Sequence, residues 1–366
     1  MYEHIRTRSR CSNMLPERPR TEVRGSELGA THKSNHMATV FLNGTFLDQA
    51  DARVSAFDAG FQHGVGLFET MLGGTTALDE TWVYRLDAHL ERLATSAREL
   101  GLAEGLRTQG LYDAVMETTA REGSARTRIR LTITGGDLNL LSTTSKSEEQ
   151  PQARVEATVL IVAQPATTYP DAMFERGVMV SLADTRANPF NPMEGHKTLH
   201  YWWRLRELQQ ASAKGAAEAI VVQVSNHLVG GCVSNLFLVK DGSLLTPIVR
   251  GEEGGVVEDT SQTDPTQPPA PVSSTARSGV LPSPALPGIT RRAIIEMAEL
   301  RSIPVECRML SIDDLLAADE VFLTNSSWGV LPVAAVEAHP VGAGTPGKIT
   351  RTLREALTRS IEGESA

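Results

Sequence analysis

The segment Arg128-Ile-Arg-Leu-Thr-Ile-Thr134 alternates polar and apolar residues without a break. That period belongs to a β-strand with one wet face. Upstream, between Arg85 and Leu102, Leu86, Leu90, Leu93, Ala97 and Leu100 recur at three- and four-residue steps. This is the buried stripe of an amphipathic helix, with Gly101 as its stop. A chain that mixes the two periods along its length, rather than segregating them, folds as α/β or α+β.

The other elements follow the same rules. Asn43-Gly44 sits between two apolar runs and predicts a hairpin over Val40–Leu47, and Asp241-Gly242 predicts another over Leu236–Thr246. A second helix covers Leu111–Arg121. Val155–Ala163 reads as a more continuously apolar, central strand, and Ala219–Val224 and Val321–Thr324 read as further strands. Helices lead from Leu286–Arg291 through Leu300 and begin again near Lys348. Residues 139–152 read as a loop, and Tyr169–Arg176 as a link between domains. Residues 1–36 mix arginines with glutamates and show no apolar period, which predicts a disordered extension, with Met37 an alternative start. The Pro-, Gly- and Ser-rich tract 250–284 predicts a disordered insertion. The remainder divides into a small α/β domain, 37–168, and a large one, 169–366.

The 366 residues suffice for two cores, and 41% apolar with 22% charged residues is ordinary for a globular protein. The net charge of −9 argues against nucleic acid as a partner. No apolar run reaches the roughly 18 residues of a membrane span. Cys11, Cys232 and Cys307 lie far apart without a CxxC pair, which argues against a disulfide framework or a metal site and for a reducing cytoplasm.

Chemistry concentrates at Lys197. It follows a loop broken by Pro192 and Gly195 and stands at the mouth of a predicted helix carrying Leu199, Trp202, Trp203, Leu205 and Leu208. A lone lysine is ordinarily a solvated cation. Apolar neighbours disfavour its charge and bring its pKa down, which makes it an amine able to attack a carbonyl and hold a Schiff base. Gly288-Ile-Thr290 opens a helix, and Asn325-Ser-Ser327 ends a strand. Each suits a helix cap or tight turn as well as an oxyanion site. Arg92, on the predicted Arg85–Leu102 helix, suits a solvated face or an anion contact. Together they are the parts of a pyridoxal phosphate site: an amine for the aldehyde and anchors for a dianion.

These motifs, in this order, resemble the class IV, fold-type IV pyridoxal phosphate enzymes: branched-chain aminotransferases, D-amino acid aminotransferases and aminodeoxychorismate lyases. The resemblance rests on Asp58–Thr70, His89-Leu-Glu-Arg92, His196–Tyr201, Ser234–Gly242, Leu286–Arg291 and Thr324–Ser327, and spans about residues 38–360. It implies two α/β domains with the cofactor in the interdomain cleft, in a homodimer. It implies Lys197 as the Schiff-base lysine and proton shuttle. Arg92, Ile289, Thr290 and Ser326 would surround the phosphate, with Asn325 nearby. Tyr201 would stand near the ring hydroxyl, and Phe68 and Ser327 would meet the substrate. The implied activity moves an amino group between an amino acid, of branched-chain type, and a 2-oxo acid. The alternatives are a lyase releasing pyruvate and 4-aminobenzoate, or a degenerate homologue that retains only cofactor binding. The chain departs from the family in writing Gly230-Gly231 where relatives write Glu-Gly, the glutamate that pairs with the pyridine nitrogen. On that basis Gly230→Glu is expected to raise turnover. Ala59, Val65 and Gly135 depart as well.

Overall fold

A computed structural model describes residues 39–137, 157–253 and 282–364. The expectations for residues 1–36, for the loop at 139–152 and for most of 250–284 lie outside the described residues.

The first lobe runs β1 (Thr39–Leu42), β2 (Thr45–Asp48), α1 (Ala59–His63), β3 (Gly66–Thr75), β4 (Thr81–Val83), α2 (Leu86–Glu99), α3 (Thr108–Glu122), β5 (Thr127–Thr134) and β6 (Val159–Pro165). Its sheet has the order β2-β1-β6-β5-β3-β4, antiparallel throughout. The Asn43-Gly44 turn has φ of 46° and 91°, the left-handed pair that a tight hairpin requires. One sheet face carries Ile129, Leu131, Ile133, Ile161 and Ala163 against Leu86, Leu90, Leu93 and Ala97 of α2 and Val115 of α3. The opposite face of β5 carries Arg128 and Arg130. This face lines an interior cleft rather than facing bulk water.

The second lobe contains α4 (Asp171–Glu175), β7 (Val178–Leu182), α5 (Trp202–Ala213), β8 (Glu218–Val222), β9 (Leu228–Gly231), β10 (Asn235–Lys240) and β11 (Ser243–Pro247). It continues with α6 (Ile289–Glu299), β12 (Val305–Arg308), α7 (Ile312–Leu316), β13 (Glu320–Asn325), β14 (Gly329–Val336), β15 (His339–Pro340) and α8 (Lys348–Glu364). The sheet order is β12-β11-β10-β13-β14-β7-β8-β9, with β15 beside β14. Both faces are covered, so its strands are apolar on both sides. Leu236, Leu238, Val321 and Leu323 face Leu315 of α7 and Val341. Phe237, Val239 and Phe322 face Ala293 and Ile294 of α6 and Leu353 and Leu357 of α8. Phe237 and Phe322 stack with centroids 4.9 Å apart. A fully buried phenylalanine in such a core is worth about 3–5 kcal/mol relative to alanine.

The sequence places Lys197 ahead of a helix that already includes Leu199, and the structure moves the start of that helix to Trp202. Helix α5 begins at Trp202, and Lys197 lies on an extended stretch before it. Phe68 N–H donates to Lys197 O at 2.9 Å and Leu199 N–H to Gly66 O at 3.0 Å. Leu67 and Thr198 pair as antiparallel neighbours. The segment from the second lobe is thus borrowed by β3 of the first. The predicted stripe of α5 is buried only in part, with Trp203 and Leu208 packed against the core. Trp202 and Leu205 are exposed, while Glu207 and Ala211 are buried. Glu207 accepts from Asp184 N–H at 2.9 Å and Thr185 Oγ1–H at 2.6 Å, which explains an acid on the inner face.

Candidate functional site

Between the lobes lies a cleft of about 480 Å³. Lys197, Phe68, Tyr201, Arg92, Ile289, Thr290, Asn325, Ser326 and Ser327, drawn from both lobes, all line it. The residues singled out in the sequence therefore converge on one space.

The Lys197 amine stands 4.4 Å from the Phe68 ring centroid and 5.7 Å from that of Tyr201. The two rings meet edge to face at 5.2 Å. Burial brings the Lys197 pKa down to about 7, with Glu69 pulling upward and Arg92, Arg130 and Arg204 pushing it further down. A large share of the amine is uncharged at neutral pH, the form that attacks a carbonyl. Tyr201 Oη donates to Cys232 O at 3.3 Å, and burial raises its pKa, so its proton stays in place.

Arg92 is a braced anchor. Its Nε donates to Glu69 Oε1 at 2.9 Å, Nη2 to Glu69 Oε2 at 2.5 Å, and Nη1 to Pro287 O at 2.9 Å. Glu69 is fully buried and also meets His89 Nδ1 at 2.8 Å. Burial works against its charge, yet Arg92 and His89 bring its carboxyl down to about 2. The bidentate pair sets the guanidinium plane and leaves N–H groups on Nη1 and Nη2 for an anion. Pro287 O ties the same arginine to the start of α6, so the guanidinium and the helix start share one brace.

At α6, Gly288 has φ −70° and ψ 136°, and the N–H groups of Ile289 and Thr290 precede the first intrahelical bond, Arg292 N–H to Gly288 O. A helix start of this kind attracts a dianion. A side chain at Gly288 would overlap Asn235 Oδ1, so the approach needs glycine. On the far side, Asn325 is spent on the turn itself. Its Oδ1 accepts from Ser327 N–H (2.9 Å) and Trp328 N–H (3.0 Å), and its Nδ2 donates to Val233 O (3.3 Å). Asn325 shapes the cradle, and Ser326 and Ser327 offer the donors. Thr324 Oγ1 is buried at the same wall without a hydrogen-bond partner among the described residues. An orphaned hydroxyl there fits a bound polar group.

Several residues of the site escaped sequence reading. Glu69 lies on the inner face of β3, where an acid must find partners, and His89 and Arg92 stand three residues apart on the helix facing it. Arg128 and Arg130 follow the β5 alternation that was assigned to solvent. Arg130 lies 3.8 Å over the Phe68 ring, and burial, with Arg128 beside it, lowers its pKa. Arg204 bonds Glu194 at 2.8 Å and Cys232 O at 3.3 Å. His196, between Ser96 Oγ at 2.9 Å and Glu99, is brought down to about 4, chiefly by burial, and is neutral.

The Gly230→Glu expectation meets a steric and backbone obstacle. Gly230 has φ of 153°, and a Cβ there would stand 2.8 Å from Ser234 O. The variant is expected to lose about 1–3 kcal/mol of stability from backbone strain rather than gain turnover. Urea denaturation of both proteins checks this.

The amino-transferase class IV profile matches residues 66–257 and 277–336. A branched-chain amino acid aminotransferase of Escherichia coli is 27% identical over 332 residues, covering 89% of this chain and 94% of its own. A crystal structure of a branched-chain amino acid aminotransferase of E. coli superposes with a TM-score of 0.73 at 26% identity, over 90% of this chain and 96% of that one. A 4-amino-4-deoxychorismate lyase structure from Pseudomonas aeruginosa gives 0.65 at 26% identity, over 87% and 98%. A profile match of that span settles the lineage of the cleft just described: the chain belongs to the class IV aminotransferases, enzymes whose cofactor is pyridoxal phosphate.

Proposed function

We propose that this protein transfers an amino group between a branched-chain type amino acid and a 2-oxo acid. The carrying observation is the Lys197 amine, held between two rings at the centre of the cleft with a pKa near 7. Pyridoxal phosphate, when bound, supplies the aldehyde that takes up the amino group and a ring that accepts electrons from the Cα–H bond. The chain does the rest. Arg92, the start of α6 and the Ser326–Ser327 turn hold the phosphate. Tyr201 and Phe68 confine the amine of Lys197 and keep water from it. Lys197 Nζ takes the substrate's α-proton and returns it on the cofactor side, which one amine of matched pKa can do. Exposed Phe57, Phe61 and Trp202 supply apolar surface for a homodimer.

A second reading, the lyase, shares one observation with the first. Arg128 and Arg130 line the cleft without an ion pair to any described residue, and a branched-chain amino acid has one carboxylate to offer them. A substrate with a second carboxylate would use both, and 2-oxoglutarate in the transferase reaction and aminodeoxychorismate in the lyase reaction each have one. Leucine, isoleucine and valine with 2-oxoglutarate, against aminodeoxychorismate alone, separate the readings. Formation of branched 2-oxo acids supports the transferase, and release of pyruvate with 4-aminobenzoate supports the lyase. In either case Arg130→Ala is expected to raise KM for the dicarboxylate partner about 10- to 100-fold, the worth of one charge-assisted hydrogen bond.

A further inference from the structure

Among the described residues that line the cleft, Arg92, Arg128, Arg130, Lys197 and Arg204 are basic, and none is an aspartate or glutamate. A pyridine nitrogen buried here in its protonated form would need an anion beside it, since desolvation and neighbouring positive charge both disfavour the cation. The acids packed around the cleft are turned elsewhere. Glu69 is taken by His89 and Arg92. Glu194 is taken by Arg204. Glu218, behind the β9 end of the wall, accepts from the N–H groups of Ala219 (3.0 Å), Cys232 (3.1 Å) and Val233 (3.2 Å) and from Ser234 Oγ–H (3.1 Å). The wall in front of it, Gly230-Gly231, is bare backbone by necessity. A branch at Gly230 meets Ser234 O, and one at Gly231 overlaps Ser234 Oγ. The packing that shapes this wall excludes an acid from it.

We propose that this cleft holds the pyridoxal ring with its pyridine nitrogen unprotonated. The inference rests on the reading of the cleft as the cofactor site, but on no particular orientation of the ring, because no lining side chain offers the nitrogen a carboxylate. An uncharged ring withdraws electrons less strongly. Lys197 therefore removes the α-proton against a weaker sink, and substrates whose Cα–H bond is already weakened by an adjacent unsaturated group react faster than saturated aliphatic ones.

The test uses the full-length protein loaded with pyridoxal phosphate carrying a ¹⁵N label in the ring. Its ¹⁵N resonance is expected in the neutral pyridine range and unmoved from mildly acidic to mildly alkaline pH. A resonance in the pyridinium range overturns the proposal while leaving the cofactor site intact. Borohydride treatment and peptide mapping of the same sample keep the two ideas apart. Absence of label on Lys197 overturns the cofactor reading and this inference with it. A second readout is affinity for the analogue with carbon in place of the ring nitrogen. Equal affinity, within a factor of about three, is expected, and a preference of about tenfold or more for pyridoxal phosphate, the size of one charge-assisted bond, overturns the proposal.

Discussion

Lys197→Ala protein is expected to transfer amino groups about 100- to 10,000-fold more slowly than the parent, the contribution of a positioned proton carrier. The half-reaction with a single amino donor measures this, and small exogenous amines are expected to restore part of the rate. Structural collapse does not account for the loss, because the lysine costs the apoprotein stability. Its folded pKa, about 7, lies below the ordinary 10.5. As pH falls from 10.5 the unfolded chain takes up this proton first, so the cost grows until about pH 7 and then stays constant. Lys197→Met apoprotein is therefore expected to be more stable than the parent at neutral pH, with the difference vanishing above the ordinary lysine pKa. Urea denaturation across that range reads the sign directly, and a Met variant less stable at pH 7 refutes the buried-amine assignment.

Glu69→Gln is the second large effect. The carboxylate sits between Arg92 and His89 with almost no exposure. Removing one partner of a buried pair strands the other, at a cost of about 3–5 kcal/mol. The same magnitude follows from the pKa. Glu69 falls from 4.5 to about 2 in the folded protein, which corresponds to about 3 kcal/mol of stability. That stability is fully present above pH 4.5 and is lost as pH falls through about 2. The Gln variant should lack this acid-side loss while being less stable at neutral pH. Arg92 then loses its bidentate hold, so affinity for inorganic phosphate and for the cofactor should fall together. Glu69 also supports positive charge on Lys197, and its removal should move the midpoint for acylation of that amine to lower pH.

Much of this architecture is legible in the residues, for local reasons. Asn43-Gly44 and Asp241-Gly242 made their hairpins because their left-handed turns suit an Asn or Asp followed by a residue without a Cβ. The leucine stripe formed α2 because it packs on a sheet made of the same kind of residues. Lys197, Ile289, Thr290 and Ser326, which line one cleft, could be singled out because apolar flanks and a glycine-opened helix are chemical signals in themselves. What stayed hidden depends on contacts distant in sequence. The pairing of Glu69 with Arg92, the turning of Arg128 and Arg130 toward a cleft, and the exposure of Trp202 and Leu205 all depend on where a second element lies. The start of α5 was misplaced for a related reason. Residues 197–199 satisfy their backbone groups on β3, more than a hundred residues away, and leave the helix to begin afterward. Asn325 lines the cleft and also closes the turn there, and a turn-forming amide and a phosphate-binding one are hard to separate in sequence.

The strand-like graft of residues 197–199 onto β3 has a mechanical consequence. Spreading the lobes as a jaw would break the hydrogen bonds from Phe68 N–H to Lys197 O and from Leu199 N–H to Gly66 O and carry the lysine away from its rings in one motion. Deuterium uptake at those two amides thus reports the same event as loss of the working geometry. An enzyme held together in this way would admit its reactants at the rim of the cleft rather than by opening it.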